Sequence, residues 1–288
     1  MIRLYLLGYK GLAIISSIGS DRAGLIDEVI ISKDSNIDND YYHDIVFECQ
    51  KRNLRYHDKS SAPEVVSEYS LAIGWRWLIH DENTVIIFHD SLLPRLRGFN
   101  PLVTALINGD RDVGVTTLFA DDEYDKGNII NQKSLKIIYP IKIHTAIENI
   151  STLYIELFLD LIENILTKNI NSIRQEEHNA TYSLWRGEND YMINWDWEAK
   201  KIKRFIDAVG YPYHGAKTLL DSEILTIYDS EEAGDCIIEN RVPGKVIFKN
   251  EESITIVCGK GLIRIKELYK SDKETFDYSK KFRLHFRS

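Results

Sequence analysis

Two ionisable side chains stand where the chain can bring them to one edge of a sheet, and both can move protons. His89 ends an apolar run and is followed by Ser91–Pro94, a turn that would hold the imidazole at the carboxyl end of a strand. Open α/β sheets bind ligands at that edge. Asp125 follows the acidic loop 120–124 and precedes Gly127, where the backbone can pass close to a ligand. This pair suits general acid–base catalysis.

Each of the two residues, taken singly, also has a simpler interpretation. A histidine beside a strand end is more often a satisfied structural residue than a catalytic one. Asp125 alone is more typical of a turn or a cap, and the acidic residues before it are typical of a solvated surface. The catalytic interpretation therefore depends on the two occurring together.

The surrounding elements predict an α/β fold. Apolar runs alternate with polar stretches long enough for helices or turns, which favours a Rossmann-like, mostly parallel sheet with helices on both faces. The predicted strands are Ile2–Leu7, Gly24–Ser32, Tyr69–Gly74, Thr84–His89, Val113–Phe119 and Leu135–Ile143. The glycines Gly8 and Gly11 lack the spacing of a dinucleotide loop, so we interpret that segment as a tight turn.

The second half of the chain changes character after residue 215. An amphipathic helix is predicted from Ser151 and another helix over Glu198–Val209, and the Gly- and Pro-containing stretch 210–216 then marks a boundary. Four short β-like runs follow: Glu223–Tyr228, Lys245–Phe248, Ser253–Cys258 and Leu262–Leu268. We expect a catalytic domain over 1–215 and a small OB-like β-barrel lobe over 216–288, with a structural or dimerising role.

Composition excludes several classes of function. The formal net charge of -8 disfavours binding to a nucleic acid. The apolar stretches are too short to cross a bilayer, and no signal region precedes them, so we expect a cytoplasmic protein without a membrane partner. Cys49, Cys236 and Cys258 have no metal-like spacing and are interpreted as packed thiols.

Two segments carry a resemblance to a known family. Residues 88–98 read FHDSLLPRLRG, and residues 113–130 read VGVTTLFADDEYDKGNII. Together they resemble the folate-dependent formyltransferases, which include methionyl-tRNA formyltransferase, glycinamide ribonucleotide formyltransferase and the nucleotide-sugar N-formyltransferases. The resemblance implies that N10-formyltetrahydrofolate donates a formyl group to an amine. It implies that His89 contacts the formyl group, that Asp125 orients it or relays protons, and that no metal is needed.

One catalytic position departs from the family pattern. The family asparagine, two residues before the histidine, is Ile87 here, which cannot donate a hydrogen bond. Loss of one oxyanion donor typically lowers the rate about 10²-fold to 10³-fold. Asn100, a backbone amide or an ordered water are the alternatives for a replacement donor. Leu118 also stands where many members carry a histidine.

The resemblance also implies binding residues. Trp77, Leu78 and Ile79 fall where relatives line the pterin ring, although the tryptophan is equally typical of a core. Asp121, Asp122 and Tyr124 fall on the folate loop. Residues 180–216 resemble the sugar N-formyltransferases, which indicates a small amino-sugar acceptor, nucleotide-linked, for surface polysaccharide, lipopolysaccharide or glycan biosynthesis. Trp185 is then a stacking candidate, and phosphate contacts are predicted for Arg97 and Arg186.

Two other functions remain open. Formylation of initiator methionyl-tRNA is the competing activity, and the acidic net charge argues against it because a tRNA enzyme should present a basic stripe. A degenerate protein that binds folate or a sugar nucleotide without turnover is suggested by Ile87, and the presence of both His89 and Asp125 argues against it. A homodimer is expected only by analogy.

Overall fold

The structure is a computed structural model that describes residues 1–80, 83–279 and 281–288. Two compact units make up the chain. The first consists of Met1–Leu102, Arg111–Ile137 and Thr145–Leu184, and the second of Val103–Asp110, Ile138–His144 and Trp185–Ser288.

Strands and helices alternate in the first part of the chain, and short strands dominate the last part. The strands of the described residues are β1 (Ile2–Leu6), β2 (Ile26–Ile31), β3 (Tyr56–Asp58), β4 (Tyr69–Ile73), β5 (Thr84–His89), β6 (Arg97–Gly98), β7 (Asp112–Phe119), β8 (Ile129–Lys136), β9 (Tyr182–Ser183), β10 (Ala216–Leu220), β11 (Glu223–Ile227), β12 (Glu231–Ala233), β13 (Val246–Lys249), β14 (Ile254–Val257), β15 (Leu262–Ile265) and β16 (Phe286–Arg287). The helices are α1 (Gly8–Ser17), α2 (Ser20–Ala23), α3 (Tyr42–Lys51), α4 (Pro101–Asn108), α5 (Ile143–Leu166) and α6 (Ala199–Ala208). Short 3-10 helices span Lys59–Ser61, Glu177–Asn179 and Glu188–Tyr191.

A mixed sheet in the first unit has the strand order β3-β2-β1-β4-β5-β7-β8 within the described residues. The strands β1 to β5 run parallel, whereas β7 is antiparallel to β5 and β8 is antiparallel to β7. Every residue of β1 is buried, as expected for a central parallel strand covered on both faces. The predicted mostly parallel α/β sheet is confirmed.

The second unit carries the predicted β-rich region. Its strands form two antiparallel sheets, in the orders β11-β10-β16 and β12-β15-β14-β13 among the described residues. The isoleucines, valine and leucine of β14 and β15 are buried, so their apolar side chains form a core for this sheet. None of the helices seen in the described ranges combines the length and apolar character that crossing a bilayer requires.

Three local predictions were wrong. Gly8 does not open a tight turn; its φ of 65° lets the chain leave β1 and enter α1 directly. The predicted strand Leu135–Ile143 overlaps only the end of β8, because Pro140 cannot donate to a sheet and Ile138 is 84% exposed. The helix predicted from Ser151 begins earlier, at Ile143.

Candidate active site

His89 is placed by the sheet itself. It is the last residue of β5, it is buried, and its backbone lies opposite Thr116 of the antiparallel neighbour β7. Four strands parallel to β5 end at the same edge as His89. The prediction that this imidazole stands at the carboxyl edge of the sheet is therefore confirmed.

The turn after His89 is held by the neighbouring strand. The hydroxyl of Thr116 donates to the Ser91 carbonyl at 2.6 Å and accepts from the Leu93 amide at 3.2 Å. Gln132 of β8 donates to the Leu93 carbonyl at 2.9 Å and to the Thr116 hydroxyl at 2.8 Å. The threonine of the sequence GVT thus serves to fix the turn that follows the histidine.

The hydrogen bond of His89 determines which ring nitrogen is basic. Nε2 lies 2.9 Å from the carbonyl oxygen of Leu96. A carbonyl only accepts, so Nε2 carries the hydrogen, and a neutral ring has its lone pair on Nδ1. Nδ1 lies 3.5 Å from Oδ1 of Asp125. That separation exceeds a direct hydrogen bond, and the carboxylate is close enough to stabilise a positive charge on the ring.

Asp125 is placed by a loop instead of a strand. Its φ of 56° is in the left-handed region, and its Oδ2 accepts a 2.7 Å hydrogen bond from the amide of Gly98. Gly127 then passes so close to β7 that an added Cβ would lie 1.8 Å from the Phe119 carbonyl oxygen. The loop therefore requires glycine at 127, and the carboxylate is locked by a backbone donor.

Residues 173–183, which we call the strap, contact both the segment that follows His89 and the loop that carries Asp125. At one end Ile173 and Ile129 exchange two backbone hydrogen bonds of 2.8 Å. At the other end β9 pairs in parallel with β6. Just before β9, the Thr181 hydroxyl accepts a 2.9 Å hydrogen bond from the Leu96 amide. The strap therefore contacts both the histidine side and the aspartate side of the site.

A polar cluster beside His89 was not predicted from the sequence. Asp90, the next residue, accepts hydrogen bonds from the Lys10 ammonium and the Tyr154 hydroxyl. Tyr154 is fully buried on α5, and burial together with the Asp90 charge holds the pKa of its phenol well above the usual value. This cluster ties the end of β5 to α1 and α5. The adjacency of Asp90 to His89 was its only sequence signal.

The two departures from the family pattern are neighbours in the sheet. Ile87 of β5 pairs with Leu118 of β7, and Ile87 packs on an apolar cluster of Leu93, Leu118 and Ile129. Two positions at which the resemblance implied polar residues are thus apolar together here. Asn100 is half-buried with a φ of 49°, in the turn that follows the Gly98 amide.

Comparisons with known proteins show the family of this chain. The Formyl transferase family matches residues 49–156, and the Formyl transferase C-terminal domain matches residues 187–284. The chain belongs to the folate-dependent formyltransferase family. Methionyl-tRNA formyltransferase from Streptococcus agalactiae is 28% identical over 203 residues, which cover 69% of this chain and 63% of that protein. The chain thus spans less than two thirds of the length of this curated relative.

Solved formyltransferases share the fold. The N-formyltransferase from Helicobacter canadensis, in complex with folinic acid and dTDP-3-aminofucose, has a TM-score of 0.69 at 17% identity, covering 93% of this chain and 99% of its own. Methionyl-tRNA formyltransferase from Clostridium thermocellum has a TM-score of 0.56 at 19% identity, and the match covers 90% of this chain and 99% of that protein's chain. At such identities the likeness shows the fold alone.

The residues predicted to contact folate lie in two segments of the first unit. Trp77 packs edge-on against Trp75, and the Lys59 ammonium lies 4.5 Å from its ring centroid. Next to it, Leu78 is 68% exposed and Ile79 is half-buried. On the other segment Asp121, Asp122 and Tyr124 are exposed.

The residues predicted to bind the acceptor are divided between the two units. Arg97 is 0% exposed in the first unit, and its guanidinium donates to Gln175 and Glu177. This burial leaves no guanidinium surface for a phosphate. In the second unit Trp185 is 67% exposed, and the Nε of Arg186 is buried without a hydrogen-bond partner among the described residues. Burial lowers the pKa of that guanidinium.

Proposed function

We propose that this formyltransferase moves a formyl group from N10-formyltetrahydrofolate to the amine of an amino sugar, nucleotide-linked, for surface polysaccharide or glycan biosynthesis. One observation carries the proposal: the basic nitrogen of His89 faces the Asp125 carboxylate at 3.5 Å, with both side chains largely buried at the edge of the sheet. An amine that attacks a formyl carbon must lose a proton, and this pair is arranged to receive it.

The two side chains divide the work. The acceptor amine gives its proton to Nδ1 of His89, because Nε2 already carries a hydrogen that it donates to Leu96. Asp125 then stabilises the resulting imidazolium across the 3.5 Å gap until His89 gives the proton up to the leaving group. Formyltetrahydrofolate, when bound, would supply the formyl carbon, and we propose that His89 passes the proton to the nitrogen that the formyl group leaves.

The residues present fit a folate in two respects. The buried indole N–H of Trp75 has no hydrogen-bond partner among the described residues, so this segment offers a polar donor beside exposed apolar surface. The exposed rings of Tyr124 and Phe99, 5.6 Å apart, flank the Asp125 loop. We propose that these segments hold the pterin and its aromatic extension, with Trp77, Leu78, Ile79, Asp121 and Asp122 as further contacts.

A nucleotide-linked sugar is favoured by the second unit. The unpartnered Arg186 Nε offers a donor for a phosphate oxygen, and the adjacent Trp185 exposes a face on which a base or sugar can stack. The formyltransferase from Helicobacter canadensis, which shares the fold, was solved with dTDP-3-aminofucose.

We further propose that residues 1–215 form the catalytic domain and residues 216–288 the β-rich lobe.

The proposal is tested by following tetrahydrofolate release from N10-formyltetrahydrofolate. The acceptors are dTDP- and UDP-linked 3-amino and 4-amino deoxysugars and, separately, charged initiator tRNA, with the His89→Ala variant as the control for background hydrolysis. Release with at least one sugar nucleotide, and no release with tRNA, is expected. No release above the control with any acceptor would overturn the transferase activity.

Initiator methionyl-tRNA is the second candidate acceptor. The similarity to methionyl-tRNA formyltransferase from Streptococcus agalactiae favours it. Residues 216–288, however, carry as many acidic as basic side chains, which is a poor match for a polyanion. Release with tRNA alone would reverse the ranking.

A further inference from the structure

Gln175 lies in the strap, and both the oxygen and the nitrogen of its side-chain amide form hydrogen bonds beside the candidate site. Its Oε1 accepts from Nε of Arg97 at 3.1 Å and from Nη2 of Arg97 at 2.9 Å. Its Nε2 donates to the carbonyl oxygens of Asp125 at 2.7 Å and of Gly127 at 2.8 Å. A side-chain amide has two donors and one acceptor oxygen, so every hydrogen-bonding group of this buried amide is engaged.

Arg97 determines the direction in which that amide points. An arginine donates and cannot accept, so the amide oxygen must face it and the amide nitrogen must face the aspartate loop. Glu177 balances the Arg97 charge through two hydrogen bonds of 2.8 and 3.0 Å, and this contact lowers the pKa of the Glu177 carboxyl. The Gln175 amide, oriented by Arg97, therefore directs its two donors at one backbone turn.

That turn needs support from outside. Asp125 has a positive φ, a conformation that residues other than glycine seldom adopt and that persists when its surroundings hold it. Its side chain is held by the Gly98 amide and its main chain by Gln175. Released from Gln175, the backbone can relax and the carboxylate can turn away from His89.

We propose that Gln175 is a positioning residue that keeps the Asp125 carboxylate against His89, with Arg97 fixing the direction of its amide. The inference rests on the proposed formyl transfer for its kinetic test. Gln175 touches neither His89 nor the Asp125 carboxylate directly; it acts through the Asp125 and Gly127 backbone.

The discriminating variant is Gln175→Glu, with Glu177→Gln as the matched control. Gln175→Glu keeps an acceptor for Arg97 and replaces the donor by an oxygen that faces two carbonyls. We expect kcat to fall about 10²-fold with KM for the acceptor within about threefold, since small misplacements of catalytic groups have effects of this size. Glu177→Gln changes the charge on the same arginine, leaves the donor in place and keeps kcat within about threefold.

A second measurement does not depend on turnover. Hydrogen exchange of the Gly98 amide, whose acceptor is the Asp125 carboxylate, should speed up about tenfold or more in Gln175→Glu and stay unchanged in Glu177→Gln. Should Gln175→Glu fail to fold, Gln175→Met removes the same donor without adding a charge. Unchanged Gly98 exchange in a folded donor-free variant would overturn the inference.

A double-mutant cycle separates positioning from general destabilisation. In an Asp125→Asn background, Gln175→Glu should lower kcat by less than about threefold, because the group it positions is already lost. Additive losses would contradict the inference. A wild-type protein without transferase activity would instead contradict the proposed function, and the Gly98 exchange would still decide the role of Gln175.

Discussion

His89 and Asp125 are held in two different ways. The histidine ends a strand whose backbone is hydrogen-bonded on both sides, so its position follows from the sheet. The aspartate lies on a loop with a positive φ and depends on single hydrogen bonds from Gly98 and Gln175, distant in sequence. The difference teaches that the position of one member of the proposed catalytic pair follows from the fold, and the position of the other depends on a few polar contacts.

The largest expected effect comes from removing the acid–base groups themselves. His89→Ala should lower kcat/KM about 10²-fold to 10⁴-fold, the usual contribution of general acid–base catalysis, while the free energy of unfolding falls by only about 1–3 kcal/mol, because the buried Leu96 carbonyl loses its partner. Asp125→Asn should lose activity similarly, because the amide still accepts from Gly98 and cannot stabilise the imidazolium. Steady-state kinetics with parallel thermal melts check both variants. Activity within threefold of wild type would remove the assigned roles.

Gly127→Ala should displace the loop that carries Asp125 and leave strand β5 unchanged. The added Cβ would lie 1.8 Å from the Phe119 carbonyl oxygen, so the backbone must shift, and displacement of the carboxylate should lower kcat about 10²-fold. Gly24→Ala is the control, because a Cβ there meets nothing within 4 Å and its φ is -65°, so stability should hold or rise by about 0.4–1 kcal/mol. Hydrogen exchange of β5 should be the same in both. Faster hydrogen exchange in β5 of Gly127→Ala would contradict the view that β5 holds His89 independently of the Asp125 loop.

Ile87→Asn tests whether the strand side has room for the family asparagine. Its neighbours are apolar, so an amide there should lower the free energy of unfolding by about 1–3 kcal/mol and bring no gain in kcat. Ile87→Val, expected to cost about 0.5–1.5 kcal/mol, controls for lost packing. Urea unfolding and the release assay measure both quantities. A tenfold gain in kcat would mean that the site lacks an oxyanion donor that asparagine supplies.

The smallest effect is expected at the exposed face of the loop. Tyr124→Ala removes a ring that contacts only Phe99 among the described aromatic pairs, so stability should change by no more than about 0.5–1.5 kcal/mol. If Tyr124 contacts folate as proposed, KM for formyltetrahydrofolate should rise while kcat stays within about threefold. Tyr124→Phe is the control and should keep both constants. A fall in kcat without a change in KM would place Tyr124 among the positioning groups instead.

The sequence predicted the strand that holds His89 but not the long-range contacts that hold Asp125. The strand Thr84–His89 was predicted with its observed bounds, because buried parallel strands are continuous apolar runs. The edge strand β8 was missed because it is polar and half-exposed, and the apolar residues just after it were mistaken for the strand. Gln175 carried no signal, since its contacts with Arg97 and Asp125 span 78 and 50 residues.

During synthesis on the ribosome, Asp125 emerges 50 residues before Gln175. At ordinary elongation rates of 5–20 residues per second, that interval lasts about 3 to 10 s. A nascent chain in this interval already contains the imidazole, the carboxylate and the Gly98 amide, but it lacks the Gln175 amide that holds the Asp125 backbone. We therefore expect formyl transfer to begin only after translation has passed the strap, so that incomplete chains do not turn over folate.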